Sequence, residues 1–186
     1  MPERALPPDL DGDSLSALAA AMAARRSAPV EGWDPPYCGD SRIRIDADGR
    51  WLHDGAPITR PAMTRLFASV LRREADGRYM LVTPVEKLGI TVDDLPFVAT
   101  ALRSEGEGPH RRIAFSLGTG EIVFAGTARA IVAADDSGRP ALTLDRGLSA
   151  RIARPLWYEL AEIAIGEGGD PPGLWADGAF FPLAAG

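Results

Sequence analysis

The stretch from Gly49 to Lys87 constrains the fold most, because turn and helix signals follow one another closely in it. The pairs Asp48-Gly49 and Asp54-Gly55 both accept positive φ easily, and they bound the short apolar run that begins at Trp51. Pro61 follows, and the missing N–H of a proline costs nothing at the first position of a helix. The pattern therefore predicts a hairpin that leads directly into a helix.

The helix after Pro61 is predicted from apolar residues at three-and-four spacing, which places them on one face against the core. These residues are Met63, Leu66, Phe67, Val70 and Leu71. We expect the helix to end before Asp76-Gly77, where the next turn signal lies. The apolar run from Tyr79 to Val82 is typical of a strand buried on both faces.

Three segments of this stretch also resemble the sequences of a known family. The runs are Pro-Ile-Thr-Arg from Pro57, Leu-Phe-Ala-Ser-Val-Leu-Arg-Arg-Glu from Leu66, and Leu-Val-Thr-Pro-Val-Glu-Lys from Leu81. From about Trp33 to Leu183 the chain resembles the bacterial family of unknown function number 1285. The resemblance implies two small α+β modules built from repeated motifs, a fold regarded as new, and a signalling or regulatory role. It implies no catalytic residues.

The rest of the sequence also divides into two modules. We predict an α+β fold of two small modules, each an antiparallel sheet packed against a helix. Residues 1–30 would be an N-terminal tail and helix, and residues 31–92 the N-terminal α+β module. Residues 93–186 would be a mostly antiparallel β module with one long helix that begins at Ser149. The tail from Gly173 to Pro182 echoes Gly49 to Ile58, which favours an internal repeat.

Composition excludes several classes of function. The chain has no Asn and no Gln, which excludes amide readout of adenine and an amide-built oxyanion hole. The net charge of −6 opposes binding to nucleic acid. A single cysteine cannot form an internal disulfide, and we find neither a basic signal-peptide start nor an apolar run long enough for a membrane span. We therefore expect a cytoplasmic protein with no nucleic-acid or membrane partner.

A catalytic interpretation depends on the few nucleophilic and imidazole groups in the chain. Cys38, His53 and His110 supply them, and their spacing matches no metal or cofactor motif, so we expect neither. Cys38 and His53, with Asp54 or Asp40 to orient the imidazole, would form the nucleophile and base of a hydrolase or transferase. The alternative is that Cys38 is a small buried apolar residue and His53 a surface residue at the end of a strand.

A binding interpretation depends on the ends of the predicted helix and strand. A small anionic ligand would be held where Arg60 starts the helix and where charged residues follow the buried strand, with a tryptophan as an apolar wall. The predicted ligand-binding residues are Trp51, Arg60, Thr83, Glu86 and Lys87. In the alternative, Arg60 pairs with Asp54, and Lys87 pairs with Glu86 or Asp93.

The functional prediction favours binding over catalysis. We predict a non-enzymatic regulatory or small-ligand-sensing protein that acts as a homodimer, with a signalling protein as a further partner. Two other classes stay open. One is the Cys/His hydrolase or transferase. The other is a structural protein-interaction module, which would show a large exposed apolar patch and no pocket.

Overall fold

The computed structural model describes residues 14, 15, 19 and 28–183 of the chain. Most of the helix predicted for Ser14 to Arg26, and the tail before it, lie outside the described residues. Leu15 and Ala19 are helical, and Leu15 is fully buried against Ala114 and Ile122. Neither helix within residues 28–183 has the length and apolar character needed to span a bilayer.

Two six-stranded sheets form the body of the protein. The first module contains β1 (Tyr37–Ile45), β2 (Trp51–His53), β3 (Ala56–Pro57), α1 (Pro61–Ser69), β4 (Leu71–Arg73), β5 (Tyr79–Val82) and β6 (Lys87–Val92). The strands lie side by side in the order β3-β2-β1-β6-β5-β4. The central strands β1 and β6 pair in parallel, and all other neighbours are antiparallel.

The second sheet repeats this layout. It contains β7 (Phe97–Glu105), β8 (Arg112–Leu117), β9 (Ile122–Phe124), β10 (Ile131–Val132), β11 (Ala141–Thr143) and β12 (Ser149–Ile152). Its order is β10-β11-β12-β7-β8-β9, with β12 and β7 in parallel. After it come α2 (Arg154–Glu167) and a separate hairpin of β13 (Gly173–Ala176) and β14 (Ala179–Pro182). In both modules the first and last strands of six meet at the centre, so the internal repeat is a repeat of topology.

The prediction of antiparallel sheets holds for most strand pairs but is wrong for the central pair of each sheet, which is parallel. The parallel neighbours are remote in sequence: Tyr37 pairs with Lys87 in the first sheet, and Phe97 pairs with Ala150 in the second. Turn residues predict pairing only between strands that are consecutive in sequence. No local pattern predicts that the last strand of a module pairs with its first strand.

The sequence similarity between residues 49–58 and 173–182 reflects a shared turn and not a repeated module. Asp54 and Gly55 have φ of 49° and 80°, and Asp177 and Gly178 have φ of 49° and 77°. Both segments are hairpins closed by the same left-handed pair of residues. Strand order makes β8 and β9, not β13 and β14, the counterparts of β2 and β3.

Both predicted helices begin or end at a different residue. The first ends at Ser69, because Leu71 joins β4 and pairs with Leu81. The second does not begin at Ser149, which lies in β12 between two neighbouring strands. It begins at Arg154, with Pro155 in its first turn. In both cases the apolar spacing suits helix and strand alike, and long-range pairing decides between them.

The strand order explains why α1 lies across the first sheet. Its neighbours in sequence, β3 and β4, are at opposite edges of the sheet, so the chain between them has to cross a face. The second module makes the same crossing within residues 125–130, which span roughly 20 Å when fully extended. A tight turn closed by Gly126 and Arg129 shortens this reach. A flat sheet of six strands is about 24 Å wide, which is more than this segment can span, so the second sheet has to curl. Only the first sheet has a crossing helix.

The two modules share one apolar core and a polar seam. A single buried cluster contains Ile45 and Trp51 from the first sheet together with Phe97 and Leu142 from the second. At the seam, Arg146 of the second module donates hydrogen bonds to the carbonyl oxygens of Ser69 (2.7 Å) and Ala68 (3.5 Å). A cation at these terminal carbonyls stabilises the C-terminus of α1.

A second polar cluster fixes the segment that joins the modules. Arg151 is only 7% exposed, and its guanidinium donates to both oxygens of Asp94 at 3.0 and 2.7 Å and lies 2.8 Å from Asp135. Burial raises the pKa of Asp135, but hydrogen bonds from Ser137 and Arg151 outweigh it and hold that pKa well below its usual range. Asp94 lies between β6 and β7, so Arg151 ties the junction to the second sheet.

Replacement of Arg151 tests this cluster. We expect Arg151→Ala to lower the free energy of unfolding by about 3 kcal/mol, because Asp94 and Asp135 lose the buried guanidinium that they share. Arg139→Ala is the matched control, since Arg139 lies 2.7 Å from the same Asp94 but is 52% exposed; it should cost under about 1 kcal/mol. Urea unfolding of the two variants measures both values. Equal losses would contradict the assigned role of Arg151.

Candidate functional site

A cleft lies where the start of α1 passes over the edge of the first sheet, and we name it the α1 cleft. Its volume is about 390 Å³. Its apolar lining comes from Ile43, Ala56, Pro57, Ile58, Met63 and Phe67. Three polar residues complete it: His53, Thr59 and Arg60. None of the described residues that line the cleft carries a carboxylate.

The N-terminus of α1 opens at this cleft without a side-chain cap. Arg60 takes the N-cap position with extended backbone (φ −87°, ψ 108°), and Pro61 follows in the first turn. Pro61 has no N–H, and the Met63 N–H donates to the Arg60 carbonyl oxygen (2.9 Å). The Ala62 N–H is therefore the first-turn amide without a described acceptor, and the helix dipole places partial positive charge there. The electrostatic field at this end of the cleft therefore favours an anion.

Trp51 supports the cleft from behind and does not line it. Its indole is 3% exposed and stacks on the ring of Phe67, with ring centroids 6.3 Å apart and planes inclined by 17°. The indole N–H is buried and donates no hydrogen bond to any described residue. Phe67, not Trp51, is thus the flat apolar surface that a ligand would meet. The stacked pair holds that surface in place.

The guanidinium of Arg60 is available to a ligand. The ion pair with Asp54, which was the alternative to binding, does not form. Asp54 instead lies 3.3 Å from Arg42 and 3.7 Å from the His53 imidazole. Arg60 makes no side-chain hydrogen bond or ion pair with any residue that the structure describes. Its charge at the mouth of the cleft is therefore not neutralised by a neighbour.

The other predicted binding residues lie elsewhere. Lys87 pairs with Asp34 (3.2 Å) and Glu74 (3.6 Å), and neither of its predicted partners binds it. The Thr83 hydroxyl accepts the Glu86 backbone N–H (3.2 Å) within the turn between β5 and β6. The structure does not bring Thr83, Glu86 and Lys87 into one cleft with Arg60.

A second cleft of about 400 Å³ lies near Lys87, at the seam between the modules. It is lined by Glu31, Trp33, Asp34, Arg72, Arg73, Glu74 and Arg146. Its arginines already have partners. Arg72 donates to the carbonyls of Val30 and Trp33 and to Glu74, Arg73 donates to the Gly77 carbonyl, and Arg146 donates to the end of α1. The arginines of this cleft hold the fold together, so we take the α1 cleft as the candidate site.

The proposed cysteine nucleophile and histidine base are far apart. Cys38 lies near the start of β1, whereas His53 pairs with Ile43, five residues further along that strand. At about 3.3 Å per residue, this separates the two along the strand by about 15 Å. Cys38 is exposed, so its prediction as a small buried apolar residue is also wrong. Within the described part of the chain, no His, Cys, Asp and Glu side chains are grouped so as to hold a metal ion.

Sequence patterns missed most of the apolar lining of the cleft. Met63 was expected in the core but is 40% exposed at the cleft. Ile43 lies on β1 and reaches the cleft only because β2 and β3 fold back beside it. Helical spacing shows which face of the helix carries a residue. It does not show which part of that face extends beyond the sheet and stays exposed.

Comparisons with known proteins agree with this architecture. The family model described as "Domain of unknown function (DUF1285), N-terminal domain" matches residues 28–95. The family model described as "Protein of unknown function (DUF1285), C-terminal domain" matches residues 96–183. The chain belongs to the DUF1285 family. No curated protein matches it.

Two solved structures are similar to this DUF1285 chain. The crystal structure of a DUF1285 family protein from Silicibacter pomeroyi DSS-3 is 42% identical with a TM-score of 0.77, over 94% of this chain and 97% of that one. A DUF1285 family protein from Shewanella baltica OS155 is 28% identical with a TM-score of 0.52, over 68% of this chain and 92% of that one. The resemblance inferred from the sequence is thereby confirmed, and it brings a fold but no named activity.

The reactivity of Cys38 tests the separation of the two groups. We expect an aromatic disulfide reagent to modify Cys38 in the native protein without denaturant, because the thiol is exposed. The rate should stay within about twofold in His53→Ala, since the imidazole is too distant to activate the thiol. Absorbance of the released thiolate measures the rate. A tenfold fall in His53→Ala would mean that the two residues do act as a pair.

Proposed function

We propose that this protein is a non-enzymatic, small-ligand-binding regulatory protein and that the α1 cleft is its ligand site. The observation that carries the proposal is an apolar cleft with one unpaired cation at its mouth. Binding sites for small molecules measure about 300–1,000 Å³, are mostly apolar, and contain few polar groups. At about 390 Å³ the α1 cleft fits this description.

The arrangement of polar groups supports binding over catalysis. The three polar residues of the cleft are His53, Thr59 and Arg60. They include no thiol and no carboxylate, and Cys38 lies too far along β1 to reach His53. A cation and a helix N-terminus can hold an anion, but with an isolated imidazole they do not form a nucleophile and base pair. The hydrolase or transferase alternative therefore has no support at this site.

A regulatory role has a structural basis in α1. The helix begins at the cleft, and its last carbonyls accept hydrogen bonds from Arg146 of the second module. A ligand that changes the position or order of the helix start would act on an element that the second module also holds. We further propose that the protein acts as a homodimer in the cytoplasm and passes this change to a signalling partner.

Native mass spectrometry tests the proposed function without a guess at the ligand. We expect the protein, purified gently from its host, to carry a defined extra mass at a subunit count of two. Met63→Trp should lose that mass, because the larger side chain fills the cleft. Leu66→Trp is the matched control on the same helix, since Leu66 is exposed and does not line the cleft. It should retain the mass.

Two results would contradict the proposal. One is the same extra mass on Met63→Trp and wild type, which would place the ligand elsewhere. The other is a clean apo mass for the wild type that persists after incubation with an extract of small molecules from the host. Circular dichroism melting of both variants checks that a lost mass reflects the cleft and not unfolding.

A further inference from the structure

We infer that the ligand of the α1 cleft is a monocarboxylate with a compact apolar body of on the order of a dozen non-hydrogen atoms. The inference rests on the proposed function and assigns the chemical class that the site would accept. Three features of the cleft carry it: its volume, its single unpaired cation and the position of its apolar surface.

The volume sets the size of the body. One water molecule occupies about 30 Å³ of liquid, so about 390 Å³ holds roughly thirteen atoms of that size. Decanoate, with ten carbons and two oxygens, matches this count. A dinucleotide or a long lipid is far larger than the cleft.

The charges set the head group. Arg60 contributes one positive charge, and the uncapped start of α1 adds part of another. A guanidinium pairs with a carboxylate through two parallel hydrogen bonds. A polyanion would place its remaining charges against the apolar side chains of the lining, and the chain carries a net charge of −6. A single negative charge therefore suits the site best.

The apolar surface sets the orientation. The Phe67 ring, held by Trp51, and the exposed Met63 side chain lie within one to two turns of Arg60 along α1. A carboxylate at Arg60 would direct its chain along these side chains toward Ile43. Met63 is flexible enough to adjust to different apolar shapes. Straight and aromatic monocarboxylates should therefore both bind.

The test is a nitrogen-15 NMR titration of the full chain with a panel of defined probes near neutral pH. We expect decanoate to shift the amides of residues 60–67. Hexanoate should bind on the order of 100-fold weaker, because each lost methylene costs about fourfold. Decanamide, which is neutral, should bind at least about tenfold weaker than decanoate. Decyl phosphate and decanedioate should also bind more weakly than decanoate.

A charge cycle isolates the role of Arg60. In Arg60→Ala the preference for decanoate over decanamide should fall from at least about tenfold to within about twofold. Arg65→Ala is the matched control, because Arg65 is exposed on the same helix but does not line the cleft. It should keep the preference. Unchanged discrimination in Arg60→Ala would overturn the assignment of the head group.

The outcomes separate this inference from the proposed function. Equal or tighter binding of decanamide, decyl phosphate or decanedioate at residues 60–67 would overturn the monocarboxylate class and leave the α1 cleft as a ligand site. If no probe shifts these amides while native mass spectrometry shows a ligand that Met63→Trp loses, the class is again wrong and the site is right. If decanoate binds only at other residues, the monocarboxylate class fails; the proposed function fails as well only if Met63→Trp keeps the native extra mass.

Discussion

The parallel pairing of β1 with β6 is the constraint on which the first module depends. It brings the first and last of six strands to the centre of the sheet and leaves β3 and β4 at opposite edges. The chain between those edges has to cross the sheet, and α1 makes that crossing with Phe67 stacked on Trp51. The first residues of α1 extend beyond the face of the sheet on which the rest of the helix packs. The α1 cleft lies at this end of the helix, so it depends on the crossing helix as well as on the strand order.

The second module shows the same strand order with a different crossing. A tight turn closed by Gly126 and Arg129 takes the place of the helix between β9 and β10. The repeat is thus one of topology, and only one of its copies has a cleft under a crossing helix. The copies remain connected through the shared core and through Arg146, which binds the last carbonyls of α1. A ligand at the start of α1 would therefore act on a helix that both modules hold.

Local chemistry made part of this predictable from sequence. The Asp-Gly turns and the proline at the start of α1 each indicate their element, and the family resemblance indicates two modules. The parallel pairs, the end of α1 at Ser69 and the strand at Ser149 depend on contacts between remote residues, which no local pattern encodes. The binding residues divide in the same way. Arg60 was predicted from its position at a helix start, whereas Met63 and the buried Ile43 are brought together at the cleft only when the sheet forms.

The central claim is that the α1 cleft binds an anion at Arg60, and a crystal structure of the protein grown with decanoate tests it most directly. We predict a carboxylate within hydrogen-bonding distance of the Arg60 guanidinium, with the alkyl chain packed on Phe67 and Met63. An empty α1 cleft, with decanoate ordered in the arginine-rich cleft at the module seam or absent altogether, would contradict the claim.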